Sequence, residues 1–277
     1  MAELDLLAIS VGNTRTRLGL FLAGKLEESR AVENGEPAGA VAAAMAIAGK
    51  LSPGAPVVLG SVNHPEADRL IAGFGPAVRE QGHELYRIGR DLVIPIQNAL
   101  RDDSTVGQDR LLNALGAFSR ARQACIVIDA GTAVTVDFVD GEGSFQGGAI
   151  APGLNMMLKA LHEHTAALPL LRFEPPASNA TETAGGEVPV PWGRDTHEAM
   201  RVGVRAAVRG LAHELIDRYA EFYSAYPQVI ATGGDARALF ENDDLVEHIV
   251  PDLVLLGIQA ACEMHLGDHD DADADDR

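Results

Sequence analysis

Residues 7–21 read LAISVGNTRTRLGLF, and residues 126–139 read IVIDAGTAVTVDFV. In each, an apolar run enters a glycine-containing turn and leaves through alternating polar and apolar residues, the pattern of a strand, a tight turn and a second strand. Superposing Ile9 on Ile128 places Ser10 on Asp129, Gly12 on Gly131, Asn13 on Thr132 and Thr16 on Thr135, a constant offset of 119 residues. That offset is about one domain length, so the chain reads as a duplication with a central cleft between two halves. Chance similarity between two β-hairpins is the alternative.

Outward from these hairpins, strands and helices alternate. PVVLGSV (56–62), ACIVIDAG (from 124) and QVIATGG read as strands; DRLLNALGAFSRARQ (from 109), GLNMMLKALHEH and THEAMRVGVRAAVRGLAHELIDRYAEFY read as helices. In the last, Met200, Val204, Val208, Leu211, Leu215 and Tyr219 recur as a core face. The mixture belongs to the α/β class. Residues 174–193, EPPASNATETAGGEVPVPWG, lack any apolar period and read as a mobile connection or lid. The stretch DHDDADADDR holds six aspartates in ten residues and nothing to bury, which predicts a disordered acidic tail.

Composition narrows the function. The net charge of −18 argues against nucleic acid or an anionic membrane as partner, since a phosphate backbone attracts clustered Lys and Arg. Only three lysines are present, so an anionic substrate has to be held by arginines, backbone amides or a metal. No run approaches the roughly 18 apolar residues of a membrane span, and MAELDLLAIS lacks the basic start of a signal peptide, so a cytoplasmic protein is expected. Cys125 and Cys262 fit no metal spacing and read as buried thiols.

Phosphoryl transfer requires phosphates held, charge neutralised and an acceptor hydroxyl aimed in line. Two glycine turns can do the first; there is no GxxxxGK[ST] and no strand-linked GxGxxG. In VGQDRLLNALGAF, Asp109 can accept a proton and Arg110 can clamp an anion, while Asp109 can equally be a plain helix N-cap. His164 can contact a substrate or merely close a helix C-terminus. Asp195 with Glu198, or Thr196, can cap the long helix. ATGGDARAL suits backbone lying against a nucleotide base, or an ordinary β-to-α turn.

VGNTRTRLGLF (11–21), VGQDRLLNA (106–114), IVIDAGTAVTVDFVD (126–140), GGAIAPGL (147–154), HTAALP (164–169), GRDTHEAM (193–200) and ATGGDA (231–236), in this order, resemble the type III pantothenate kinases of the acetate and sugar kinase, Hsp70 and actin superfamily. The resemblance implies two ribonuclease H-like domains, an actin-like ATPase duplication, divided here as 1–118, 119–267 and the tail 268–277. It implies ATP-dependent phosphorylation of pantothenate in the first step of coenzyme A synthesis, by a homodimer using Mg2+ and a monovalent cation, K+ or NH4+. Asp109 matches the general base, and Gly107, Gln108 and Arg110 the substrate segment around it; His164 and Thr196 match further pantothenate contacts. Residues Ser10, Val11, Gly12, Asn13, Thr14, Arg15, Thr16 and Arg17 match the first phosphate loop. Gly131 and Thr132 match the second, Gly233 and Gly234 the adenosine segment, and Asp129 the monovalent-cation ligand.

Two departures stand out. The family carries an aspartate where Ser10 stands, and that carboxylate helps hold hydrated magnesium, so the magnesium site is expected to be weakened. The family also carries an aromatic residue and a proline shortly before GxDR, where this chain has ALRDDST. Two other readings follow: a non-catalytic or regulatory homologue, or a kinase for another small hydroxy acid or sugar.

Overall fold

The computed structural model describes residues 4–174 and 190–274, so most of the expected 174–193 lid lies outside the described residues. In chain order the elements are β1 (Leu6–Val11), β2 (Arg15–Leu22), β3 (Lys25–Glu33), α1 (Pro37–Ala48), β4 (Val57–Ser61), α2 (His64–Glu80), β5 (Leu85–Arg87), α3 (Gln108–Ala121), β6 (Cys125–Ala130), β7 (Ala133–Val139) and β8 (Phe145–Pro152). There follow α4 (Leu154–Glu163), α5 (Thr196–Tyr223), β9 (Gln228–Thr232), α6 (Ala236–Phe240), β10 (His248–Ile249) and α7 (Leu253–Ala274). The chain forms two compact units, one of residues 1–124, 139–147 and 252–277, the other of 125–138 and 148–251.

The first unit is built on a mixed sheet of order β3-β2-β1-β4-β5. β1 pairs antiparallel with β2 and parallel with β4. Strand alternation splits it between two cores. Leu7, Ile9 and Val11 pack with Leu18, Leu59, Ile47 of α1 and Phe74 of α2. Leu6 and Ala8 pack with Phe21, Val58, Leu112 of α3 and Leu255 and Ile258 of α7. Burying one such side chain as large as Phe21 contributes about 1.5–3 kcal/mol. α3 and α7 cross where both are glycine: a Cβ on Gly257 would lie 1.9 Å from the Leu112 carbonyl oxygen, and one on Gly116 2.7 Å from that of Leu253. α7 is thus part of the first unit's core, whereas the sequence reading placed residues up to 267 in the second half. Its helix also runs on to Ala274, past the point where a disordered tail was expected, because each added residue of an existing helix gains a backbone hydrogen bond without a new nucleus.

The second unit's sheet has the order β10-β9-β6-β7-β8, the same arrangement as the first with each strand replaced by its later counterpart. β1 and β6 begin 119 residues apart and share one burial profile: four buried residues, then a half-buried one, Ser10 or Asp129, then a buried one. Across the turn the offset becomes 118, since β2 starts at Arg15 and β7 at Ala133. The first turn closes from Gly12 N–H to the Arg15 carbonyl and the second from Gly131 N–H to that of Ala133, each at 3.0 Å, so the second is one residue shorter. Buried Thr16 therefore corresponds to buried Val134, and Thr135 to half-buried Arg17, which corrects the Thr16–Thr135 match. A one-residue slip exchanges the faces of every following side chain.

In α5 the buried stripe is Met200, Val204, Val208, Ala212, Ile216 and Ala220. Beyond Val208 this departs from the expected Leu211, Leu215 and Tyr219, which are half-buried. Steps of four overshoot a full turn by 40°, so the contact face winds around the helix, and small alanines occupy its far end.

Candidate functional site

In the first unit the β1–β2 turn exposes Asn13, Thr14 and Arg15. Asn34, following β3, fastens it from below. The Asn34 backbone N–H donates to the Thr14 carbonyl at 2.8 Å, its Nδ2 donates to the Gly12 carbonyl at 2.8 Å, and its Oδ1 accepts from the buried Thr16 hydroxyl at 2.9 Å. Half-buried Ser10 lies in register with Arg17 on one side and Gly60 on the other. Arg17 Nη1 reaches Asp252 Oδ1 at 3.4 Å, and Asp252 Oδ2 also accepts from the Ser29 hydroxyl at 2.9 Å. Arg15 pairs with Glu33 at 3.5 Å on the surface.

The first turn of α3 is brought to the same end of this sheet. Gly60, the register partner of Ser10, packs toward Leu112 of α3. Gln108 bridges the ends of two strands: its Oε1 accepts from Ser61 N–H at 3.3 Å and its Nε2 donates to the Ile88 carbonyl at 3.2 Å. Gly89, at φ +82°, makes room, since a Cβ there would lie 2.3 Å from that Nε2. The amide of Gln108 is therefore engaged by backbone, which suits a positioning role.

The helix cap is Gly107, in extended conformation; Asp109 is at the second helical position, so the simple N-cap reading of Asp109 does not hold. Asp109 Oδ1 accepts from Arg110 N–H at 2.9 Å and leaves no space for a side chain at 107, where a Cβ would lie 2.5 Å away. Desolvation by burial raises the Asp109 pKa above the ordinary carboxylate value, against the opposing Arg110 N–H and guanidinium. A half-buried carboxylate that binds protons more readily than a free one is suited to collecting a proton from a hydroxyl. The Arg110 guanidinium stands 5.5 Å from the centre of the Phe145 ring, a cation–π contact. Phe145 is itself held to the segment before α3 by backbone bonds with Gln97 and Ala99. Its backbone thus runs beside Ala99, the first residue of ALRDDST, a segment with no aromatic residue of its own.

In the second unit Asp129 closes β6 at the position Ser10 holds in β1. A Cβ at Gly131 would be 3.8 Å from Asp129 Oδ1, and one at Gly233 2.5 Å from it and 2.3 Å from the Ala130 carbonyl oxygen. Gly233 has φ +95°, so both conformation and closeness require glycine. Thr132 and Gly234 are exposed. Gly153 N–H donates to the Thr132 carbonyl at 3.1 Å, repeating the Asn34–Thr14 bond with the donor 119 and the acceptor 118 residues further on. Here glycine replaces asparagine because a Cβ would lie 2.2 Å from the Gly131 oxygen.

His164 stands away from this turn, beyond the far end of α4. α4 starts beside the turn, after Gly153, and His164 follows its far end, roughly 15 Å along the axis at 1.5 Å per residue. Thr196 is the first residue of α5, and Asp195 supplies the cap, accepting from Glu198 N–H at 2.8 Å. Both His164 and Thr196 are exposed, and neither side chain has a hydrogen-bond partner among the described residues. Neither Asn34 nor Asp252 carries a sequence signal, because each acts through contacts to residues distant in the chain.

Among the described residues no group of three or more His, Cys, Asp or Glu side chains is placed to hold a metal. Ser10 offers one hydroxyl in the first unit and Asp129 one carboxylate in the second, each at the end of its unit's first strand, and a single oxygen donor suits a hydrated ion better than a metal enclosed by protein. Cys125 and Cys262 are buried thiols whose pKa values burial raises to about 12. No helix among the described residues is long and apolar enough to cross a membrane.

The type III pantothenate kinase family model matches residues 6–218. The type III pantothenate kinase of Rhodopirellula baltica is 40% identical over 185 residues, 67% of this chain and 63% of that protein. That of Rhodospirillum rubrum is 40% identical over 168 residues, 61% of each. The chain thus spans somewhat under two thirds of the length of these two relatives. That of Rubrobacter xylanophilus is 32% identical over 276 residues, covering 92% of this chain and 96% of its own. A Baf family protein from Campylobacter jejuni shares the fold at 16% identity, with a TM-score of 0.53 over 94% of this chain and 99% of its own.

Proposed function

We propose, for a chain that belongs to the type III pantothenate kinase family, that it transfers a phosphoryl group from ATP to the hydroxyl of pantothenate, giving 4'-phosphopantothenate in the first step of coenzyme A synthesis. The observation that carries the reading is Asp109, whose carboxylate lies half-buried at the start of α3 in the segment that matches the family's base, with its proton affinity raised by desolvation. Asp109 takes the hydroxyl proton as the oxygen attacks phosphorus, and Arg110 holds the acceptor's carboxylate with its planar fork. Gly107 leaves the space that the Asp109 carboxylate occupies, and Gln108 keeps the helix start in place.

The turns at residues 10–17 and 131–132 contact phosphates through backbone N–H groups, and Gly233 and Gly234 lie against the adenosine. Magnesium, when bound with ATP, neutralises phosphate charge; Ser10 would meet it through its hydroxyl and Asp129 would hold a monovalent cation, K+ or NH4+. His164 and Thr196 act in this reading as outlying pantothenate contacts, and the working form is a cytoplasmic homodimer. ADP release from ATP with pantothenate and potassium, followed across magnesium concentrations, tests the reaction; absence of ADP at every concentration removes it. Ser10 favours one alternative, a homologue that binds nucleotide without turnover. Calorimetry showing ATP binding together with no pantothenate-dependent ADP release would select it.

A further inference from the structure

On α5 a basic stripe recurs every fourth residue: His197, Arg201, Arg205, Arg209 and His213. Its far half is neutralised. Arg209 Nη2 and His213 Nε2 reach Asp243 Oδ2 at 2.7 and 2.8 Å, and the Asp243 side chain is fully buried. Its near half is not. The Nε atoms of Arg201 and Arg205 are sealed from solvent and lack a hydrogen-bond partner among the described residues. Among the described residues neither guanidinium joins an ion pair. The acids nearby on the helix are engaged elsewhere: Asp195 and Glu198 in the N-terminal cap, and Glu214 with Arg218.

Two half-buried cations one helical turn apart, without a counter-charge among the described residues, are costly unless something anionic completes them. We propose that Arg201 and Arg205 form a binding site for a phosphate-type oxyanion, separate from the residues assigned to phosphoryl transfer. A carboxylate is satisfied by a single guanidinium fork, whereas a phosphate near −2 charge with three acceptor oxygens matches two forks spaced about 6 Å along a helix. Packing around each Nε holds the forks from behind, which lowers the ordering cost of binding.

The test is arginine-selective 15N NMR of the full chain during titration with inorganic phosphate, paired with calorimetry of wild type and the Arg201→Gln/Arg205→Gln double variant. The Nε–Hε signals of Arg201 and Arg205 are expected to move while that of Arg209 stays. The double variant is expected to bind phosphate at these arginines about tenfold or more weakly. A parallel titration with glycerol 3-phosphate ranks a phosphate monoester against free phosphate, and binding of either one upholds the site. Unmoved signals, equal movement with acetate at matched ionic strength, or unchanged affinity in the variant would overturn the proposal. The wild-type spectra decide alone if the variant does not fold. No turnover is read, so the result stands apart from the kinase assignment.

Discussion

Asn34→Ala is the most informative perturbation of the β1–β2 hairpin. The substitution removes the bond from Thr16 at 2.9 Å and the bond to the Gly12 carbonyl at 2.8 Å, and keeps the backbone bond to Thr14. Each lost bond contributes about 1 kcal/mol, and the Thr16 hydroxyl, only 1% exposed, is left without its acceptor, which adds a desolvation cost of roughly 1–2 kcal/mol. The sum is roughly 3–4 kcal/mol of first-unit stability. Read by urea unfolding with a probe in that unit, it should appear as a lower midpoint at unchanged slope. Because the lost bonds anchor the turn and leave α3 untouched, the KM for ATP should rise several-fold while the KM for pantothenate stays near wild type. A variant that unfolds at the wild-type urea midpoint with an unchanged KM for ATP would refute the view that Asn34 holds this hairpin.

Four further outcomes follow from the same geometry. Asp109→Asn should lower kcat by roughly 10²–10⁴-fold. Because desolvation raises the Asp109 pKa, wild-type stability falls as pH climbs from the ordinary carboxylate range through that raised value; the variant should be the more stable near neutrality, with the gap closing in acid, as melting against pH will show. Ser10→Asp should lower the magnesium concentration needed for half-maximal ADP release, and an unchanged requirement would remove Ser10 from the metal's surroundings. Gly257→Ala, driving a Cβ into the Leu112 carbonyl, should cost about 1–3 kcal/mol or more and depress kcat by shifting α3, whereas Gly210→Ala, with open space around it, should be neutral or stabilising. Burial works against the Asp243 carboxylate, but bonds from His213, the Leu245 N–H and Arg209 outweigh it and lower its pKa, so its contribution holds above the ordinary carboxylate range and is lost as pH falls through the lowered value; Asp243→Asn should flatten that acid limb.

The duplication was legible because the device it repeats is local: strand, glycine turn and strand, with Ser10 and Asp129 at matching positions. The helix that presents Asp109 was legible from its apolar period. The shortened second turn was hidden, since a chance pairing of Thr16 with Thr135 preserved the apparent register. Asn34 was hidden because its role rests on contacts to residues about twenty positions away. The winding face of α5 went unread because Ala212 and Ala220 carry too little apolar surface to announce themselves beside Leu211 and Leu215. The return of α7 to the first unit depends on Gly116 and Gly257, whose meaning appears only when the two helices cross.

That return orders events during synthesis. Every residue of the second unit, up to 251, leaves the ribosome before Leu255, Ile258 and Cys262, which close the first unit's core over Leu6, Ala8, Phe21 and Leu112. The half that begins the chain is thus the last to be completed. Until residues 253–262 emerge, the strand bearing Ser10 and the helix bearing Asp109 expose one apolar face, so the nascent chain is most vulnerable to aggregation in the first unit.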